Sequence, residues 1–363
     1  MHIVQLIPEL NQGGVERGVV EFNRELVKRG HQSTVISAGG TLARTIGLEG
    51  GTHVDFDVCS KTPLTVPCRI RRLKNLFNSL SPDIIHPRSR VPAWLSYFAN
   101  RSANTPWITT VHGFNSVSKY SGIMVKGDLV IYGSMAIKDY VLSHYNVDES
   151  KLRYVPRGVD TDHFDPDKTD RDFVSGFKAK HGLDDRKIIS MVGRITEWKG
   201  HDCFIRALAK VQKHHPEAIG LIIGGVWHGK EDYLESLKQL AKETGADIRF
   251  AGSQTNVREI YALSDLAVSA AHTKPETFGR VAAEALAMNT PVIASAHGGS
   301  LDIVRDGENG FFFEPGNDSD LANKIEAALN GSFSNMRAWI GAHFSLQHMT
   351  ETELAVYREL TER

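Results

Sequence analysis

The chain is predicted to be an α/β protein made of two sequential doubly wound halves, and three observations carry that prediction. Short strands rich in Val, Ile and Leu alternate with helical stretches along the whole sequence. The segments 2–7 (HIVQLI) and 32–38 (QSTVISA) are apolar on both faces, as parallel strands covered by helices are. The alternation breaks at a polar tract, 160–173, and then restarts, and 363 residues exceed what one small core organises.

The elements follow in order. Strand 2–7 runs into GGVERGVVEFNRELVKRG, a helix ending at Gly30, and then into strand 32–38. Further strands are expected at 83–87, 107–112, 129–134 and 152–158, with helices at 67–80, 90–103 and 135–145 between them. The tract DTDHFDPDKTDRDF reads as a linker followed by a helix to about His181. In the second half, strands fit at 187–193, 218–225, 247–252, 266–271, 291–296 and 309–314. Helices fit near 200–214, 230–244, 256–264, 279–289, 299–305 and 318–330, and an amphipathic helical segment closes the chain over 334–363. The expected domains are 1–165 and 166–344, with a cleft between them.

Composition narrows the functional classes. Hydrophobic content of 41% and charged content of 23% are ordinary for a globular protein, and a net charge of −1 disfavours nucleic acid as a partner. Cys59, Cys68 and Cys203 lack CxxC spacing and read as reduced thiols in a cytoplasmic protein, not as a zinc site. The first strand starts at the N-terminus, so no signal peptide is expected, and no apolar run is long enough to span a membrane.

The span KPETFGRVAAEALAMNTP (274–291) carries the most chemistry. Glu276 sits in a loop, and helix-forming residues run from Arg280 until Asn289 and Pro291 stop them, placing Glu284 inside that helix. Gly279 at the helix mouth leaves N–H groups and partial positive charge free for a phosphate. Carboxylates on either side would suit a sugar and a ribose; the same span also reads as a plain amphipathic helix with an acidic start. In GRITEWKG (193–200), Arg194 and Lys199 lie in a loop at the carboxyl edge of a predicted strand, where two cations can neutralise a diphosphate or form a solvated basic loop. His112 ends a strand and faces either an expected cleft or a structural partner. Gly13-Gly14, between a strand and a helix, suits backbone approach to a phosphate or a tight turn, and is neither a GxGxxG nor a P-loop pattern. Asp55-Phe56-Asp57 spells DxD but sits in an apparent strand far from the second-half cluster and is set aside as a metal site; His214-His215, His343 and His348 are set aside as surface or packing residues. The basic amphipathic stretch 68–77 suits either an anionic lipid surface or solvent.

In order along the chain come Gly13-Gly14, His112-Gly113, Arg157-Gly158-Val159-Asp160, Gly193-Arg194…Lys199-Gly200, Pro275-Glu276-Thr277-Phe278-Gly279…Glu284 and His297-Gly298-Gly299. This set resembles glycosyltransferase family 4, the retaining nucleotide-sugar glycosyltransferases with the two-domain GT-B fold of Rossmann-like halves. The resemblance implies that Arg194 and Lys199 hold the donor diphosphate, Glu276 the donor sugar and Glu284 the ribose. It also implies that the backbone of Phe278, Gly279 and Arg280 touches sugar and phosphate, that Gly14 meets the phosphates, and that His112 contacts the sugar near its reacting carbon. The final helix, about 345–363, would return to the first domain. Asn289, Asp302 and Arg157 depart from the common Gly, Glu and Asn and bear on donor identity.

Retention implies an oxocarbenium-like transition state whose leaving phosphate is neutralised by Arg194, Lys199 and the helix terminus, so no metal or cofactor is expected. Arg88 and Arg90, with the tract 110–121, resemble segments of bacterial lipopolysaccharide and surface-glycan enzymes, which implies a glycan or lipid-linked acceptor; the expected donor is a UDP-sugar, with GDP and ADP as the alternative nucleotides. Work at the inner membrane surface by a cytoplasmic, peripheral protein follows from that acceptor. A UDP-sugar 2-epimerase of the same fold and a non-catalytic nucleotide-sugar-binding protein stay open; a nicotinamide-dependent dehydrogenase lacks its glycine fingerprint.

Overall fold

The computed structural model describes residues 1–11, 13–226 and 229–362. It divides into two compact units, one of Met1–Gly158 with Leu346–Arg363 and one of Val159–Ser345. Each unit is built around wholly parallel sheet.

In the first unit, β1 (His2–Leu6), β2 (Gln32–Ser37), β3 (Thr52–Asp55) and β4 (Ile84–Pro87) form a sheet in the order β3-β2-β1-β4. β5 (Ile108–Val111), β6 (Leu129–Tyr132) and β7 (Leu152–Tyr154) form a second sheet in that order. A parallel bridge from Ile85 to Trp107 continues one into the other. Alternate residues of β1 explain the two-sided apolar pattern. Val4 and Leu6 join Leu73, Phe77 and Trp107 in one core, while Ile3 joins Phe22, Leu26 and Tyr357 in another. The helix Ala43–Leu48 was not among the expected elements, and β3 was expected only as the apparent strand around Asp55-Phe56-Asp57. Each is short, and β3 is half-exposed with alternating polar residues, so it lacks the apolar run that marked its neighbours.

The second unit contains β8 (Lys187–Val192), β9 (Ala218–Ile223), β10 (Ile248–Phe250), β11 (Leu266–Ser269), β12 (Val292–Ser295) and β13 (Gly310–Phe313). Their order is β10-β9-β8-β11-β12-β13. Ile189, Met191, Phe204, Leu208 and Val268 fill one face and Ile188, Ile219, Leu221, Phe177 and Ile260 the other. The tract 160–173 is no loose linker. Phe164 is buried against Tyr261 and Phe278, and the Arg337 guanidinium donates to the carbonyls of Thr161 and Phe164.

The closing segment breaks into two helices, Met336–His343 and Leu346–Thr361, which belong to different units. In the second of them Leu346, Leu354, Val356 and Tyr357 complete the first unit's core.

Candidate functional site

Strand order locates the sites. In the second unit the chain steps outward from β8 to β9 and β10, then returns to lay β11 on the other side of β8. That reversal opens a crevice at the carboxyl ends of β8 and β11, the usual ligand position in a doubly wound sheet. The loops leaving these two strands carry Gly193–Gly200 and 270–279, which hold five of the residues singled out from sequence: Arg194, Lys199, Glu276, Phe278 and Gly279.

The two loops are fastened to each other. His272 N–H donates to the Trp198 carbonyl at 3.0 Å. Gly200 holds a φ of +77°, and a Cβ there would stand 2.1 Å from the Ala270 carbonyl oxygen, so only glycine permits the approach. The outcome is direct: Lys199 Nζ donates to Glu276 Oε1. Both side chains keep part of their surface open, at 17% and 18%. Lys199 Nζ also lies 4.4 Å from the centre of the Trp198 ring, an attraction that restricts its swing. Arg194 stands exposed in the same loop.

Glu276 is held from behind by His297-Gly298-Gly299. Gly299 N–H donates to the Glu276 carbonyl at 2.8 Å, and a Cβ on Gly298 would lie 2.3 Å from that same oxygen. Gly279, at φ +91°, caps the helix Arg280–Ala287, whose first N–H groups have no intrahelical acceptor by geometry. Phe278 is buried with its ring against Phe344, so only its backbone is placed to serve a ligand. Glu284 is nearly buried; Arg280 and the Tyr261 hydroxyl reach its two oxygens at 3.5 and 3.4 Å. Burial, then the Glu284 charge, pushes the Tyr261 hydroxyl well above its ordinary range, so it stays a donor.

His201, which sequence reasoning passed over, begins the helix His201–Val211 directly behind Lys199. Its ring is fully buried, and burial followed by the Lys199 charge lowers its pKa to about 4. No sequence signal marks it, because its burial depends on the packing of both loops.

The first unit reverses strand order between β1 and β4, and the helix Gly14–Lys28 starts beside that point. A Cβ at Gly14 would meet none of the described residues within 4 Å. The Arg157 guanidinium donates to the Gly14 carbonyl and occupies the space above Gly18, where a Cβ would lie 2.6 Å from it. A cavity of about 280 Å³ is lined by Glu16, Arg88, Arg90, Thr110, His112 and Asn115, among others. The His112 Nε2 is sealed from solvent with no hydrogen-bond partner among the described residues. Burial, then the Arg157 and Arg88 charges, lowers its pKa well below the ordinary value, leaving a neutral imidazole.

Arg88 does not stand free for an acceptor. Its guanidinium is buried, bonded to Gln5 Oε1 at 2.7 Å and to Glu353 Oε1 at 2.6 Å on the closing helix. Glu353 also accepts from the Tyr357 hydroxyl at 2.6 Å, which in turn lies 2.7 Å from His86 Nδ1, while His86 Nε2 lies 2.7 Å from Thr110. The chain of bonds closes when Nδ1 carries the proton. Burial opposes the Glu353 charge, but Arg88 and His86 outweigh it and hold that carboxyl far below the usual carboxylate range. Arg90 keeps partial exposure and donates to Ser121 Oγ at 3.2 Å. The residues set aside from sequence prove structural or superficial: Asp57 accepts from the N–H groups of Cys59 and Ser60, His214 pairs with Glu326, and His343 lies against Trp339.

Two parallel α/β units, one with a cation–carboxylate pair and a helix mouth at its switch point, define the class of two-domain GT-B nucleotide-sugar glycosyltransferases. Comparison with known proteins agrees. Residues 12–163 match Glycosyltransferase Family 4 and residues 175–342 match Glycosyl transferases group 1. The crystal structure of a glycosyltransferase from Rickettsia africae ESF-5 superposes with a TM-score of 0.91 at 31% identity, over 100% of this chain and 99% of that one. A D-inositol 3-phosphate glycosyltransferase of Mycolicibacterium smegmatis is 32% identical over 300 residues, 76% of this chain and 67% of the relative. Anabaena Alr3699/HepE in complex with UDP-glucose shares the fold, with a TM-score of 0.82 at 21% identity over all of both chains. The chain belongs to the family 4 glycosyltransferases and has their GT-B fold.

Proposed function

We propose that this protein transfers a sugar from a UDP-sugar to a glycan or lipid-linked acceptor, with retention at the anomeric carbon and without a metal ion. The observation that carries the reading is the Lys199–Glu276 contact at the β8/β11 switch point, beside the helix mouth at Gly279. There a cation and a helix terminus meet developing negative charge on the departing diphosphate, and a carboxylate meets sugar hydroxyls. Arg194 adds a second cation, and Glu284 with Tyr261 takes the ribose. Each charge contact of this kind supplies about 2–4 kcal/mol of transition-state stabilisation. The departing phosphate accepts the acceptor's proton on the same face. Arg194 and Lys199 take the place of a metal at the diphosphate, so chelation leaves turnover intact.

UDP as the nucleotide is supported by the Anabaena neighbour, which was solved with UDP-glucose. The acceptor is phosphorylated or lipid-linked, in lipopolysaccharide or other surface-glycan synthesis. The cationic Arg90 segment and the basic helix Val66–Leu80 support this reading, as does the inositol phosphate named for the mycobacterial relative. A cytoplasmic protein attached peripherally to the inner membrane by that helix fits such an acceptor; no helix among the described residues is long and apolar enough to cross a membrane.

A panel of nucleotide sugars tests the proposal. Purified protein should release UDP slowly from one UDP-sugar in the presence of EDTA, and faster with an acceptor extract. The product's anomeric configuration, read by proton NMR, should match the donor's. Formation of a 2-epimer without net UDP release would overturn the transfer reading in favour of an epimerase.

A further inference from the structure

The first unit holds a second, larger cavity of about 680 Å³. Its walls are mostly apolar, with Val66, Trp94 and Phe98 prominent, and every charged group lining it is a cation: Lys61, Arg69 and Arg90. Arg69 is the unusual member. Its side chain is 5% exposed, its Nε has no hydrogen-bond partner among the described residues, and Nη1 and Nη2 reach the carbonyls of Asp57 and Thr62 only at 3.4 Å. The carboxylate of Asp57 is 3.6 Å away and leaves that Nε unused. A buried guanidinium with a spare donor is costly unless an anion completes it. Pro8, Ser89 and Arg90 line both this cavity and the smaller one beside His112, so the two adjoin.

We infer that the larger cavity takes the phosphate-bearing end of a lipid phosphate: the anion against Arg69 and Lys61, the first carbons of the chain along Trp94 and Phe98. This ligand takes its biological sense from the proposed glycosyltransferase activity, in which it is the anchor of the acceptor. A lipid source is favoured over a soluble sugar phosphate by the rim. Leu64, between Lys61 and Val66, is 91% exposed, and Phe98 is 40% exposed. Arg71, Arg72 and Lys74 stand in solvent on the adjoining helix. An apolar wall that continues outward to exposed apolar and basic residues suits a chain leaving toward a membrane surface. Trp94 is itself stacked between neighbours, at 5.8 Å from Phe98 and 6.4 Å from Tyr120, so it offers an edge to a chain more readily than a face to a sugar ring.

Dodecyl phosphate, below its micellar concentration, is the probe; dodecyl maltoside, inorganic phosphate and glucose 6-phosphate are the controls, with binding read by calorimetry on the full chain. The expected result is one site for dodecyl phosphate, at least about tenfold tighter than any control, and weakened about tenfold by Arg69→Gln, the loss of one charge-assisted bond. Phe98→Ser and Lys61→Gln, at exposed positions where folding is not at stake, should each weaken it several-fold. UDP affinity should be unchanged in all three variants. Equal binding of dodecyl maltoside or of glucose 6-phosphate, or dodecyl phosphate binding indifferent to all three substitutions, overturns the inference. Loss of UDP binding by the wild type, with dodecyl phosphate still held through Arg69, would sink the donor assignment while supporting the cavity's ligand. UDP turnover without any dodecyl phosphate site would do the reverse.

Discussion

Lys199 and Glu276 stand 77 positions apart in sequence and in direct contact in space. Each is the other's nearest countercharge, so replacing one leaves the other in a partly buried site without it. Lys199→Ala and Glu276→Ala are each expected to lower kcat/KM for UDP-sugar by about 10²–10³, in keeping with the loss of one preorganised charge contact. The double variant should fall by less than the product of the two, because they act as a unit. His201 gives the residue scale a pH consequence. Its folded pKa of about 4 lies below the unfolded value near 6.5, so the unfolded chain binds the extra proton between those limits. Stability is therefore whole above pH 6.5 and lost as pH falls toward 4, by roughly 2–3 kcal/mol at pH 4.5. His201→Leu should flatten that acid limb in urea unfolding of the protein measured at pH 7.5 and 4.5.

Among the elements, the helix Leu346–Thr361 matters out of proportion to its length. It brings Glu353 and Tyr357 to Arg88 and His86, making a buried network in which one carboxylate serves three partners. Arg88→Met removes the countercharge and leaves the Glu353 carboxylate buried, which should cost about 3–5 kcal/mol, read as a drop in the denaturation midpoint. Tyr357→Phe removes only a hydroxyl and should cost about 1–3 kcal/mol. Arg88 was expected from sequence to meet the acceptor. A basic residue at a strand end looks available until the partner 265 positions away is known, and nothing in local spacing points to Glu353. Other element-scale features were legible. Gly279 before a helix-forming run, and Asn289 after it, mark both ends of Arg280–Ala287, and Asn289 holds a φ of +58°, the conformation Asn tolerates in place of the family's Gly.

At the scale of the whole molecule, the chain leaves its first unit at Gly158 and re-enters it at Leu346. The first unit's core is thus incomplete without the last helix: Leu346, Leu354, Val356 and Tyr357 share one cluster with Ile3, Phe22 and Ile84. Truncation after Ser345 should leave the first unit unfolded or aggregated, seen as loss of cooperative unfolding and of amide protection in β1 and β4. Retention of that protection would show that the helix is dispensable.

What the sequence determined by itself was everything carried by short-range pattern. Of the thirteen strands among the described residues, twelve follow from apolar runs of four to eight residues, and the loops with Arg194, Lys199, Glu276 and Gly279 follow from where those runs stop. Only the tertiary structure decided which side chains meet. The Lys199–Glu276 contact, the burial of Arg88 and His201, and the cationic cavity around Arg69 each join residues from separate loops or helices. The reason is physical: strand and helix formation is governed by neighbours a few positions apart, whereas charge pairing and desolvation depend on strand order, which brings distant segments of the chain to one sheet edge.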